Sequence, residues 1–137
     1  NMTTIKFILR AILAIILTSF FSAPAFATTE AVKHMNLPDI TSYEEAKAVF
    51  TQTTAQLRGK DKLDETELHE IHMITYSLEK AIAYFSMNMK DDQQVSAKEI
   101  AKLVELVHVS AENYSAAETE MYLQKYFELA TAYAEGL

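Results

Sequence analysis

Histidines in two segments are the residues of this sequence whose type and spacing could do chemistry. His69 and His72 are three residues apart in the stretch ELHEIHMITY (67–76), and His108 follows in a later segment. Residues three apart on a helix are neighbours, so the first two histidines could share a metal ion. Zinc usually takes four protein ligands, or three and a water molecule, so a pair alone does not make a site. A site would need His108 or carboxylates as well.

A helical wheel brings two glutamates to the same side of these helices as two of the histidines. His72 falls near the rim of an apolar face, in line with Glu79, whereas His69 points away from that face. His108 lies on the rim of the next helix, and Glu112 lies on the same side. Because imidazole and carboxylate both bind zinc, the candidate metal ligands are His72, His108, Glu79 and Glu112.

The heights of these residues along their helices favour hydrogen bonds over a compact metal site. With a rise of about 1.5 Å per residue and a turn at 90–94, His72 lies roughly 25 Å before the end of its helix and His108 roughly 16 Å after the start of its own. The offset of about 9 Å favours crosswise bonds, from Glu79 to His108 and from His72 to Glu112. The sequence therefore allows two interpretations. One is a polar clasp, in which these histidine–glutamate hydrogen bonds join the two helices, and the other is a metal site.

The sequence offers fewer of the ligands that a di-iron centre or Cu(I) would need. Glu105 and His108 have the Glu-x-x-His spacing of di-iron bundles, but the first and fourth helices place no glutamate within an apolar stripe. Met87 and Met89, with Met73, could offer thioethers to Cu(I), although methionine is also an ordinary filler of helical cores. The sequence shows no activated nucleophile and no glycine-rich phosphate loop, so we expect no enzymatic activity.

The first 27 residues have the features of a cleaved signal peptide. Lys6 and Arg10 precede an apolar run at 11–21, and the segment ends in Ala-Phe-Ala at 25–27, the small-x-small pattern that signal peptidases cut. We therefore expect Sec-type export to the periplasm, with no membrane association after cleavage. The chain contains no cysteine, which excludes disulfides, thiolate metal sites and covalently attached haem.

The mature segment, 28–137, is acidic and predicts a helical domain. It carries 19 acidic and 10 basic side chains, a net charge of −9 with neutral histidines, and such a charge repels nucleic acids and anionic lipids. Pro38 disfavours helix just before it, so 28–40 should form an extended lead-in. Two glycines alone follow, too few for the turns of a β-sheet, so 41–137 should be helical.

One helix-start signal occurs four times, a Ser, Thr or Asp followed three residues later by Glu. These pairs are Thr41/Glu44, Asp64/Glu67, Ser96/Glu99 and Ser115/Glu118. The first side chain can accept a hydrogen bond from a free backbone N–H, and the glutamate can reach back to the cap. Each pair opens a segment with apolar residues three and four apart. The predicted helices are 42–58, 65–89, 97–113 and 116–135, with Gly59 as a left-handed cap on the first.

Short connections make neighbouring helices antiparallel, so the sequence predicts an all-α, up-down four-helix bundle. The third and fourth helices could also run on as one through 113–115. Tyr122, Tyr126 and Tyr133 form a stripe on the fourth helix. Such a stripe is typical of a core with its hydroxyls at the rim, but it could also bind a protein partner or a second copy of the chain.

The segments IHMITYSLEKAI (71–82) and VHVSAE (107–112) resemble a family of small exported bacterial proteins of unknown function. Its motifs are Ile-His-x-x-Thr-Tyr-x-Leu-Glu-x-Ala and Val-His-x-x-Ser/Ala-Glu. The matching positions include His72, Glu79, His108 and Glu112. The resemblance implies an exported all-helical domain and supplies no activity. His69 falls outside these motifs.

The size, export and helical class also resemble those of the cytochromes b562, which hold haem b between a Met near the first helix and a His on the last. Here the predicted fourth helix has no histidine and the first has no methionine. We therefore expect an exported, non-catalytic binding or accessory protein. The alternative is a metal- or haem-binding bundle that uses His72 and His108, and the sequence does not name the ligand.

Overall fold

The computed structural model describes residues 35–137, and helices account for most of that part of the chain. The four helices found there are α1 (Tyr43–Arg58), α2 (Glu65–Asn88), α3 (Asp91–Glu112) and α4 (Ala116–Ala134). The predicted signal peptide and 28–34 of the predicted lead-in lie outside the described residues, and 35–42 contain no regular secondary structure. Among these four helices, none combines the length and the apolar character that crossing a membrane requires.

Each helix packs against its neighbours in sequence, and α4 closes the bundle by packing against α1. The hydroxyls of Thr54 and Tyr126 lie 2.7 Å apart across that closing seam. On the same seam, Arg58 donates to the Thr131 hydroxyl over 2.7 Å, and its guanidinium carbon lies 4.5 Å from the centre of the Phe127 ring. The predicted all-α four-helix bundle is therefore confirmed.

The core consists mainly of the predicted apolar stripes, with an aromatic cluster shared by three helices. The ring centroid of Phe50 lies 5.9 Å from that of Phe85 and 5.8 Å from that of Tyr133, and the last two rings are 5.4 Å apart. Tilted and edge-on contacts of this kind add to the stabilisation from burial. Other fully buried apolar residues include Ala46, Leu57, Ile71, Leu78, Ile82, Ile100 and Val104.

The tyrosine stripe of α4 faces this core. Tyr126 and Tyr133 are buried, and Tyr122 is partly buried against the same cluster. Packing against α1 and α2 removes Tyr126 and Tyr133 from the surface, and binding of a partner through this stripe stays a prediction. The alternative interpretation of the stripe as core is the one that the structure shows.

Two helix starts show how closely the capping signals locate a helix. The Asp64 side chain accepts from the backbone N–H of Glu67 at 2.9 Å, as predicted for the start of α2. The Glu67 carboxylate accepts from the backbone N–H groups of Lys62 and Leu63, both at 2.8 Å, instead of bonding the cap residue. At α1 the cap is Ser42 and not Thr41, because the Ser42 hydroxyl is the one that accepts from the first turn.

The start of α3 differs most from the prediction. The helix begins at Asp91, so the predicted turn at 90–94 is mostly helical and Ser96 is an interior residue. Asp91 adopts a left-handed backbone conformation (φ 52°), which aspartate tolerates better than most residues. Two acidic residues in the first turn also favour the positive end of the helix dipole. The α2–α3 connection is therefore reduced to residues 89–90.

The ends of the other helices also correct details of the prediction. Gly59 follows α1 with φ −78°, so it is not a left-handed cap. Tyr114 has φ 54° and separates α3 from α4, which settles that these are two helices. Ser115 precedes α4 as predicted, but its side chain makes no capping hydrogen bond.

Replacing Asp64 by alanine should destabilise the protein by about 1 kcal/mol, because a first-turn N–H of α2 loses its acceptor. The matched control is Ser115→Ala, which removes the side chain of a cap residue that makes no capping bond. Urea unfolding followed by circular dichroism measures both variants. Equal losses of stability in the two would contradict the assignment of Asp64 as a working cap.

Tyr126 should make the stability of the bundle sensitive to alkaline pH. Burial raises the pKa of Tyr126 to about 12, against the opposing effects of the Thr54 hydrogen bond and Arg58. The folded state therefore keeps the phenolic proton between about pH 10 and 12 while the unfolded chain releases it, so stability falls as pH rises through this window. Tyr126→Phe should reduce that fall, measured by urea unfolding at a series of pH values. A stability difference from the wild type that does not change with pH would contradict this expectation.

Candidate functional site

Two imidazoles from neighbouring helices meet in the seam between α2 and α3. The ring centroids of His72 and His108 are 4.6 Å apart and the rings are perpendicular. Both side chains are buried, with 1% and 5% of their surface exposed. A polar ring in such a place is costly unless its nitrogens are bonded. The ring nitrogens of His72 and His108 therefore need hydrogen bonds, a proton or a bound ion to offset their burial.

The predicted offset of about 9 Å between the two histidines is wrong because α3 starts earlier than expected. At about 1.5 Å per residue, His72 lies roughly 24 Å before the end of α2 and His108 roughly 26 Å after the start of α3. A connection of only two residues then places them at the same height in antiparallel helices. The structure therefore has the compact arrangement of His72 and His108 that the predicted heights disfavoured.

Carboxylates from both helices approach His108. Oε1 of Glu79 lies 3.0 Å from Nδ1 of His108, so the two residues are close, as predicted. The predicted hydrogen bond between them is not formed in the described part of the chain, where Glu79 Oε1 is buried without a hydrogen-bond partner. Oε2 of Glu112 lies 3.8 Å from Nε2 of the same ring. One ligand atom from each of His72, His108 and Glu112 falls within 4.8 Å of the other two. Glu112 thus lies beside both imidazoles, whereas it was predicted to contact His72 alone.

Thr75 belongs to the site but was not predicted from the spacing of the residues. Its hydroxyl donates to the carbonyl of His72 over 2.5 Å and lies 2.9 Å from Nδ1 of His108. A hydroxyl has one hydrogen, so towards His108 it acts as an acceptor, and Nδ1 carries the proton. In a neutral ring the lone pair is then on Nε2, the atom that faces Glu112. Thr75 is one of the positions of the family motif that this sequence resembles, and the motif was the sequence signal that could have identified it.

Tyr76 packs against both imidazoles and shields them. Its ring centroid lies 5.1 Å from that of His72 and 4.9 Å from that of His108, and the side chain is buried. His69 lies further out, with its ring centroid 6.5 Å from that of His72 and its side chain exposed. The site is therefore apolar and closed on the tyrosine side, while the side chains of Glu79 and Glu112 are partly exposed, at 34% and 28%.

The charges around the pair favour a proton or a cation. Burial raises the pKa of Glu79 to about 7, and the nearby carboxylate of Glu105 adds to the rise, while Lys80 opposes it. A carboxylate whose pKa rises in this way is unfavourable as an isolated anion. Positive charge placed beside Glu79 and Glu112 is therefore stabilised.

The donor set matches a single borderline metal ion better than the other cofactors considered. Two imidazole nitrogens and one carboxylate oxygen, with a position left for water, form a ligand set that zinc uses in proteins. Haem held between His72 and His108 would have to fit between rings whose centroids are 4.6 Å apart. Of the methionines considered for Cu(I), Met87 is exposed while Met89 packs against the core.

Thr75→Val should destabilise the protein by about 1–3 kcal/mol, because the substitution keeps the shape of the side chain but removes the acceptor of a buried N–H. Thr53→Val is a matched control, since the Thr53 hydroxyl is also buried but bonds only carbonyls of its own helix. Urea unfolding of both variants measures the difference. A loss for Thr75→Val no larger than that of the control would contradict the role of Thr75 as a bridge between α2 and α3.

Comparison with known proteins agrees with the expected membership in an all-helical family of unknown function. No curated protein matches the chain, and no solved structure matches it. The model of one protein family matches residues 2–135, which include the four predicted ligands and Thr75. Since the match covers almost the whole sequence, the chain belongs to the family of unknown function DUF6746.

Proposed function

We propose that this protein is an exported, non-catalytic metal-binding protein, and that its ion binds between α2 and α3. The observation that carries the proposal is the convergence of one ligand atom each from His72, His108 and Glu112 to within 4.8 Å of one another. Ligands of a zinc ion at bond lengths of about 2.0–2.2 Å lie within roughly 4 Å of one another, so small side-chain movements suffice to bind it.

Glu79 and Thr75 support the proposal as residues that orient a ligand. Histidines that bind metals almost always donate their other ring N–H to a carboxylate or another acceptor, which fixes the tautomer and the ring. In this site Nδ1 of His108 faces Glu79 at 3.0 Å and Thr75 at 2.9 Å. Its Nε2 is consequently directed at the place where the ion would bind. Glu79, one of the four predicted ligands, is therefore assigned to the outer sphere.

The ligand chemistry indicates a borderline divalent ion, and we propose Zn²⁺. Imidazole favours Zn²⁺, Cu²⁺, Ni²⁺ and Fe²⁺ over Ca²⁺ and Mg²⁺, which prefer oxygen ligands. The net charge of −9 predicted for the mature segment attracts cations in general. A site made of nitrogen and oxygen ligands also suits the oxidising periplasm, the location expected from 1–27, because thiolate ligands would be exposed to oxidation there.

Chelator-treated mature protein should bind one Zn²⁺ per chain in calorimetric titration. At a free concentration one hundred times the Kd, the ion should raise the free energy of unfolding by about 2.7 kcal/mol, because it binds only the folded site. Glu112→Gln should weaken binding at least about 10-fold, and Glu112 is partly exposed, so the variant should fold. Glu128→Gln, an exposed change on α4, is the matched control.

The double variant His72→Ala/His108→Ala should lose the site altogether. If Zn²⁺ binds weakly, with the same affinity in the Glu112→Gln variant and the control, the metal proposal is wrong. The pair of histidines is then a polar clasp, whose double variant loses stability without losing a ligand. An absorption spectrum of protein purified without imidazole tests haem separately, since holo-protein would show a Soret band.

A further inference from the structure

We infer that His69 is a fourth ligand of the same ion, and that its side chain turns inwards to close the coordination sphere. The inference rests on the proposed metal function and adds a ligand to it. In the structure, as on the helical wheel, the His69 side chain points away from the cluster and lines a groove with Gln56 and Lys60. Binding the ion therefore requires a change of its rotamer. The structure supports the inference through position, exposure and the ligands already assembled.

His69 and Glu112 lie at similar heights along the bundle. His69 precedes His72 by three residues and so lies about 4.5 Å nearer the start of α2. Glu112 follows His108 by four residues and lies about 6 Å nearer the end of α3. Because α2 and α3 are antiparallel, both displacements run towards the same end of the bundle. His69 and Glu112 are therefore at similar heights on opposite sides of the seam.

The His69 side chain lies close to His72 and is exposed. The rings of His69 and His72 are 6.5 Å apart between centroids and lie edge to face. Residues three apart on a helix can direct their side chains to one point, and an i, i+3 pair of imidazoles can bind one ion. His69 is exposed, so a change of its rotamer displaces no core packing. His72 and His108 are held by burial, whereas His69 can make a larger movement.

A fourth ligand changes what the site can do. Three protein ligands and water leave a position for a substrate, whereas four protein ligands are the pattern of structural zinc sites, which are closed. A His₃Glu site closed by an exposed histidine would hold the ion without catalysing a reaction. The exposed ligand would also set the rate of release, because its departure opens the site to solvent.

The test is the affinity and geometry of metal binding in His69→Ala. Competition with a chromophoric chelator measures Zn²⁺ affinity, and the visible absorption of bound Co²⁺ reports coordination, since four-coordinate Co²⁺ absorbs more strongly than six-coordinate Co²⁺. We expect His69→Ala to bind Zn²⁺ at least about 10-fold more weakly and to give a weaker Co²⁺ band. The metal-free variant should unfold at the wild-type midpoint, because the side chain is exposed.

Glu70→Gln is the matched control, because Glu70 is the exposed neighbour of His69 and pairs with Lys60 outside the seam. Zn²⁺ affinity and a Co²⁺ band in His69→Ala equal to those of the wild type and of this control would overturn the inference. In that case Glu112→Gln would still weaken binding, so the three-ligand site would stand. Failure of the wild-type protein to bind Zn²⁺ or Co²⁺ would overturn both the inference and the proposed function.

Discussion

The two-residue connection between α2 and α3 is the constraint on which the rest of the structure depends. It leaves no freedom in the register of these antiparallel helices, and each is more than twenty residues long. Its strain is confined to Asp91, which adopts a left-handed conformation at the start of α3. Gln94 reinforces the corner by donating to the carbonyl of Ser86 over 3.0 Å. A shift of one residue at this corner would move His108 about 1.5 Å along the seam and away from His72.

Buried polar groups determine how neighbouring helices of the bundle pack against each other. His72, Thr75 and His108 lie between α2 and α3, while the hydroxyls of Ser110 and Thr119 bond at 2.9 Å between α3 and α4. Each such bond contributes only about 1 kcal/mol net, but a buried group without its partner costs more than that. Apolar side chains alone would allow several arrangements of four helices. These polar contacts are satisfied in one arrangement, so they specify the packing as much as they stabilise it.

A site of this kind connects stability with ligand binding. Without an ion, His108 is held by Thr75 and Glu79, and the pair acts as a polar clasp between two helices. In the proposed metal-bound state, the same contacts would orient His108 as a ligand, with its Nε2 towards Glu112. Under the proposed function, the clasp and the metal site considered from the sequence would be two states of one cluster, and the carboxylates would favour positive charge in both.

The sequence by itself determined the helical class, the number of helices and most of the core, because apolar spacing and capping residues act locally. Asp64 and the stripe through Ile71, Leu78 and Ile82 are examples in which local pattern and structure agree. It also identified the four polar residues around the seam, including the contact of Glu79 with His108. It could not determine the height at which the helices pair, because Ser96 carries a good capping signal that the chain does not use. Only the tertiary structure decided that α3 starts at Asp91, and that start brings His72 and His108 together. Register between helices depends on the connection and on distant packing, and neither is written in the periodicity of a single helix.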